Sequence, residues 1–224
     1  MSLRALIFDV DGTLAETEEA HRAAFNAAFA AAGLGWHWSM ADYGRLLTTT
    51  GGKERMARWR EETGSGPSDA AIADLHRDKT ARYAALLAGG GLQARPGVAE
   101  LVAAARAAGL RLAVATTTSP GNVGALAQAI WGRAAGEVFD VIAAGDEVAA
   151  KKPAPDVYLL ALERLGLTAG EALAFEDSRN GVLSARAAGL RVVATPSAYT
   201  AGEDFAGAEA VLADLTGFDP ALWG

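Results

Sequence analysis

Apolar positions along this chain follow two different patterns, and the change from one to the other divides it. A short apolar run, Leu3 to Phe8, predicts a buried strand. Four stretches with helical spacing follow it: Glu16 to Ala32, Met40 to Leu47, Lys53 to Thr63 and Ser68 to Leu87, with Gly33 and Gly35 ending the first and Ser68 or Asp69 capping the last. No strand pattern interrupts these helices. Glycines 89 to 91 and the Arg95-Pro96-Gly97 turn then break the series.

Beyond that break, helices and strands alternate. Helices Val98 to Ala108, Asn122 to Ile130, Pro155 to Leu165 and Gly181 to Ala188 lead to strands Leu110 to Ala115, Val138 to Ala143, Ala172 to Phe175 and Arg191 to Ala194, with an edge strand near Ala210 to Leu212. Apolar strands alternating with amphipathic helices imply a parallel sheet covered on both faces. The expected fold is therefore α/β: a Rossmann-like parallel sheet with an inserted all-helical cap. Residues 1–14 and 92–224 form the expected catalytic core and residues 15–91 the cap, hinged near 13–16 and 89–95.

Composition narrows the classes. Without cysteine, thiolate metal sites, disulfides and cysteine nucleophiles are excluded. No apolar run is long enough for a membrane span and no signal-type segment precedes Asp9, so a soluble, cytoplasmic protein is expected. The net charge of −7, with no basic stripe, argues against nucleic acid as partner but leaves a small anionic substrate open. Lys53, Lys79, Lys151 and Lys152 are the only lysines in a chain that otherwise uses arginine, so each is a candidate point charge. No sustained heptad signals association, and a monomer is expected.

The candidate chemistry collects at strand ends, where open parallel sheets bind ligands. There stand Asp9 and Asp11, then Thr116, Thr117 and Thr118, then Asp146, then Glu176, Asp177 and Ser178. Two carboxylates one residue apart at the end of a buried strand suggest a cation between them, and hard divalent ions such as Mg2+ take oxygen ligands together with substrate phosphate. Ser178 also reads as a helix cap. Glu18, four residues before Arg22, reads either as an exposed ion pair or as a ligand-facing group on the first cap helix. Trp36, Trp38 and Trp59 read as cap core.

Asp9-Val10-Asp11-Gly12-Thr13, Thr116, Lys152 in Lys-Lys-Pro and Glu176-Asp177 resemble, in order, the four motifs of the haloacid dehalogenase superfamily in its phosphatase branch, and the helical block falls where its beta-phosphoglucomutase-like subgroup inserts a cap. The runs from Ala15 to Arg22 and Gly51 to Arg55, with Thr116 to Ser119 and Glu176 to Gly181, further resemble the CbbY-type family of the Calvin cycle. That resemblance implies a Mg2+-dependent phosphatase acting on xylulose 1,5-bisphosphate, an inhibitor of carbon fixation.

By the same resemblance, Asp9 is the nucleophile that forms an aspartyl phosphate, and Asp11 is the general acid and base. Thr116 and Lys152 stabilise the phosphoryl group. Asp9, Asp177 and the Asp11 carbonyl hold the metal, with Glu176 either ligating it or holding a metal-bound water. Asn180 stands nearby, and Thr117 joins the phosphate contacts. Thr17, Glu18, His21, Gly52, Lys53, Arg55 and Lys79 are the cap candidates for the rest of the substrate; Lys53 and Arg55 are candidates for a second phosphate, and Lys79 is placed at the cap surface or at its seam with the core. A hexose-phosphate mutase and a phosphoglycolate phosphatase remain alternatives. A phospho-accepting signalling receiver would have half the length and lack the helical insertion. No P-loop precedes Lys53, because Leu47 stands where its first glycine belongs, and the three histidines lack zinc spacing.

Overall fold

In the computed structural model, which describes residues 2–223 with the Asp146 side chain outside the described set, a single six-stranded parallel sheet carries the chemistry. Its strands are β1 (Ala5–Phe8), β2 (Arg111–Thr116), β3 (Val141–Ala144), β4 (Ala172–Glu176), β5 (Arg191–Ala194) and β6 (Ala210–Val211), in spatial order 3-2-1-4-5-6. The sheet has two unlike faces because side chains alternate along each strand. Leu6, Phe8, Leu112, Val114, Leu173 and Phe175 fill one face under α5 (Val98–Ala107) and α6 (Pro120–Trp131). The other face carries alanines 5, 113, 115, 143, 172 and 174, whose small side chains admit the bulkier Tyr158, Leu162 and Leu165 of α8 (Asp156–Leu165) and Val182 of α9 (Arg179–Ala187).

One strand differs from expectation. Val138 ends a short helix, α7 (Ala135–Val138), and β3 begins only at Val141. Glu137 bonds back to the Ala134 amide at 2.8 Å, closing the turn, and the Asp140 carboxylate accepts the Leu112 amide at 2.8 Å where a ladder bond would otherwise lie. The apolar pair Val138-Phe139 is buried from a helical turn, an outcome that a short apolar run does not distinguish from a strand. Elsewhere the expected elements shift by one or two residues at their ends.

The helices between β1 and α5 are α1 (Glu18–Ala31), α2 (Met40–Leu46), α3 (Gly52–Thr63) and α4 (Asp69–Ala88). They share a core of their own around Phe25, Phe29, Trp38, Tyr43 and Met56, with Trp36 and Trp59 packed against it. Ser39 and Ser68 cap α2 and α4 through their hydroxyls. Both passages between this block and the sheet meet at Arg95, whose side chain is largely enclosed. Its guanidinium donates to the carbonyls of Gly12, Thr195 and Pro196 and pairs with Glu16 at 3.3 Å, while its amide donates to Leu14 O at 2.9 Å. No helix among the described residues is long and apolar enough to cross a membrane.

Candidate active site

The strand order reverses about β1, since β2 lies on one side of it and β4 on the other, and the crevice beyond their carboxyl ends is where such sheets bind ligands. Asp9 stands there directly after β1, its amide bonded to Phe175 O at 3.0 Å. Thr116 ends β2, and Glu176 ends β4 with Asp177 following. Lys152, from the loop before α8 and preceding a cis peptide to Pro153, sends its ammonium between them. Its three protons meet Asp9 Oδ1 at 2.6 Å, Glu176 Oε1 at 2.6 Å and Ala115 O at 2.9 Å.

Charge is unbalanced here. Asp9, Glu176 and Asp177 each place an oxygen within 4.8 Å of the others, and all three are buried. One ammonium among three carboxylates leaves an excess of two negative charges. Burial drives the Asp9 carboxyl up to about 7 despite the pull of Lys152. Burial, then the charges of Asp9 and Glu176, push Asp177 well above the usual carboxylate range. Burial opposes the Lys152 charge, but the two carboxylates outweigh it and hold the ammonium protonated. Glu176 Oε1 also accepts the Tyr158 hydroxyl at 2.6 Å, whereas its buried Oε2 has no hydrogen-bond partner among the described residues. An excess of two charges, hard oxygen donors and an orphaned carboxylate oxygen together fit a divalent cation such as Mg2+. Gly12 makes the close packing possible: at φ +82, a Cβ there would stand 2.1 Å from Asp177 Oδ2.

Asp11 faces the other way. Its Oδ1 accepts the Thr17 hydroxyl at 2.6 Å and meets His21 Nε2 at 2.9 Å. Lys79 Nζ lies 2.5 Å from His21 Nδ1, so the lysine donates to the ring and the ring donates to Asp11, a tautomer assigned from the bonding. Tyr83 stacks on His21 at 3.9 Å. Burial works against an Asp11 charge, but His21, the Thr17 hydroxyl and Lys79 overcome it and hold the carboxyl below its ordinary range. Lys79 is only 3% exposed, so of its two expected positions the exposed surface is excluded and the seam remains: it faces the sheet ends from the helices, enclosed by Phe25 and Tyr83, and burial lowers it to about 8.

A cleft between sheet and helices brings most of the expected residues together. Asp9, Asp11, Thr116, Thr117, Lys152 and Asp177 line it from the sheet ends, and Glu18, His21, Gly52, Arg55 and Lys79 face them from the helices. Asn180 lines its rim and donates to Thr48 O at 3.2 Å. Thr17 and Glu176 lie behind the surface, fully buried, each bonded to a residue that lines it. Lys53 is not brought in: it lines an adjoining groove with Lys151 and His76, because the first turn of α3 directs it away from Arg55. Glu18 does not pair with Arg22, which bonds Glu19 at 2.8 Å; its Oε2 accepts the Tyr43 hydroxyl at 2.6 Å instead. Ser178 caps α9 as expected.

Residues 3–189 match the model of the haloacid dehalogenase-like hydrolases. The chain belongs to that family. It is 65% identical over 216 residues to the protein CbbY of Rhodobacter capsulatus, covering 96% of this chain and 95% of that one. The crystal structure of CbbY from Rhodobacter sphaeroides in complex with phosphate superposes with a TM-score of 0.94 at 54% identity, over 96% of each chain. A mutant of that protein, in complex with xylulose-(1,5)bisphosphate, matches equally well. This hydrolase thus has the fold expected from its sequence. Three residues at its centre were not expected: Tyr43, Tyr158 and Thr200, whose hydroxyl donates to Asp177 O at 2.6 Å. Single hydroxyls in helices and loops carry no spacing signal, although a buried tyrosine usually finds a partner for its hydroxyl.

Proposed function

We propose that this hydrolase is a Mg2+-dependent sugar-phosphate phosphatase, converting xylulose 1,5-bisphosphate to xylulose 5-phosphate through an aspartyl phosphate on Asp9. The observation that carries this reading is the opposite treatment of two aspartates one residue apart: Asp9 is gathered with Lys152, Glu176 and Asp177, and Asp11 with Thr17 and His21. The substrate is proposed from the bisphosphate bound by the Rhodobacter sphaeroides relative. On this reading residues 1–14 and 92–224 are the catalytic core and 15–91 the cap.

Asp9 attacks phosphorus, forming a P–O bond to its carboxylate as the ester P–O bond breaks. Asp11 gives its proton to the departing alkoxide, then takes one from the water that cleaves the acyl phosphate and releases inorganic phosphate. The phosphate charge entering the cleft raises the Asp11 proton affinity, so the same carboxyl serves as acid with substrate bound and as base afterwards. Lys152 neutralises phosphoryl oxygens, and Thr116 with the amides that follow it donates hydrogen bonds to them. Asp9, Asp177, Glu176 and the Asp11 carbonyl are the groups that would hold Mg2+, which supplies charge neutralisation for the carboxylates and the phosphoryl group.

Phosphate release from a panel of sugar mono- and bisphosphates tests the reading. Xylulose 1,5-bisphosphate is expected to be turned over fastest, and Asp9→Asn to lose about 10⁴-fold or more. Release that persists after both exhaustive chelation and Asp9→Asn would show that the mechanism is wrong.

A further inference from the structure

Opposite charges sharing a partly buried cleft attract strongly, since the effective dielectric there is well below that of water. Glu18 on α1 and Arg55 on α3 both line the cleft, yet no ion pair joins them among the described residues. The Tyr43 hydroxyl stands between. It donates to Glu18 Oε2 at 2.6 Å and accepts from Arg55 Nη1 at 3.0 Å, while the guanidinium carbon lies 5.1 Å from the ring centre. Tyr43 is completely buried, and the capping box of Ser39 and Asp42 fixes the start of its helix. The ring is further held by Phe25, Trp38 and Tyr199. Burial and the Glu18 charge keep the phenol neutral, so it remains a donor.

Each charged group thereby keeps one edge for a ligand. Among the described residues Glu18 Oε1 accepts no hydrogen bond and Arg55 Nη2 donates none. A carboxylate oxygen beside a guanidinium edge matches a hydroxyl donor next to an anion, as at the non-reacting end of a phosphorylated polyol. We propose that Tyr43 is a specificity-determining positioning residue: its hydroxyl is a spacer that prevents Glu18 and Arg55 from closing into a salt bridge and so keeps the remote-end subsite open. This deepens the reading of the cleft as a sugar-phosphate site and rests on it. Without the hydroxyl, the carboxylate and guanidinium move together and occlude the subsite, while the reacting centre around Asp9 is untouched.

Tyr43→Phe keeps the ring and its packing, and its melting temperature reports whether the fold is retained. Two substrates separate the effects: xylulose 1,5-bisphosphate, which has a remote end, and acetyl phosphate, which has none. Tyr43→Phe is expected to raise KM for the bisphosphate by about tenfold or more, the scale of a hydrogen bond to a charged group, with kcat and acetyl phosphate turnover unchanged. A crystal structure of the variant is expected to show Glu18 and Arg55 in direct contact. An unchanged KM for the bisphosphate, or an equal loss on both substrates, overturns the spacer. If the wild-type protein hydrolyses acetyl phosphate but no sugar phosphate, the functional reading fails on its own; the variant structure still decides the spacer, and Glu18 and Arg55 remaining apart overturns it.

Discussion

At the sheet side of the cleft, Asp9, Thr116 and Glu176 are fixed by backbone at the ends of paired strands, whereas across from them Glu18, His21, Arg55 and Lys79 are held by bonds between side chains on separate helices. The first arrangement tolerates repulsion. Three carboxylates remain together because moving any of them would disturb the ladder or the loop following it. The second arrangement settles its charges locally through Tyr43, His21 and Thr17. On the proposed reading, a cation and a phosphate would thus meet a rigid, electrically strained wall, and the remainder of the ligand an adjustable, neutralised one.

The comparison breaks most visibly at Thr116. Thr116→Ala removes one donor from the rigid wall and is expected to lower kcat by about 10² to 10³, with the melting temperature little changed. A loss confined to KM would move Thr116 to the binding side. Thr17→Val takes one bond from Asp11, and the acid limb of the kcat profile, set by Asp11 acting as base toward water on the phosphorylated enzyme, should rise by about one pH unit, costing about tenfold below it. An unmoved limb would mean that Thr17 does not set the Asp11 proton affinity.

Stability against pH separates the two aspartates further. The Asp9 pKa is raised from 3.8 to about 7, so its proton stabilises the folded chain below about pH 4 and that stabilisation is lost as pH rises through 7. Asp177 acts in the same direction. Asp11 acts in the opposite one: its lowered pKa contributes stability above its ordinary value, lost only on stronger acidification. Between about pH 4 and 7 the metal-free protein is therefore expected to soften as pH rises. Mg2+ at a hundredfold excess over its Kd should restore about 2.7 kcal/mol. Thermal melts should show a larger Mg2+ shift at neutral pH than near pH 5; equal shifts would place the metal elsewhere. The smallest effect is expected at Lys53. Arg55→Ala should raise KM for a bisphosphate about tenfold or more, and Lys53→Ala less than about threefold. The reverse ranking would return the second phosphate to Lys53.

How much was legible follows from distance along the chain. Asp9, Asp11 and Gly12 lie within four residues of one another, so spacing alone exposed them, and the alternation of helices and strands after Val98 gave the parallel sheet. Tyr43 meets Glu18 across 25 residues and Tyr158 meets Glu176 across 18, and neither separation has a periodic signature. Lys79 was left between surface and seam for a related reason: its seat between Phe25 and Tyr83 depends on two helices packing, whereas its neighbours in sequence are mostly polar. Val138-Phe139 was misread because its burial is the same whether the backbone is coiled or extended.

Arg95 touches both strands of chain that pass between sheet and helices, at Leu14 and Glu16 on one and through its own backbone on the other. Two crossings fastened at one place form a pivot rather than a pair of independent straps. A movement that kept those bonds would turn the helical block about that point, so contacts far from Arg95 would shift more than the Leu14 and Glu16 bonds beside it.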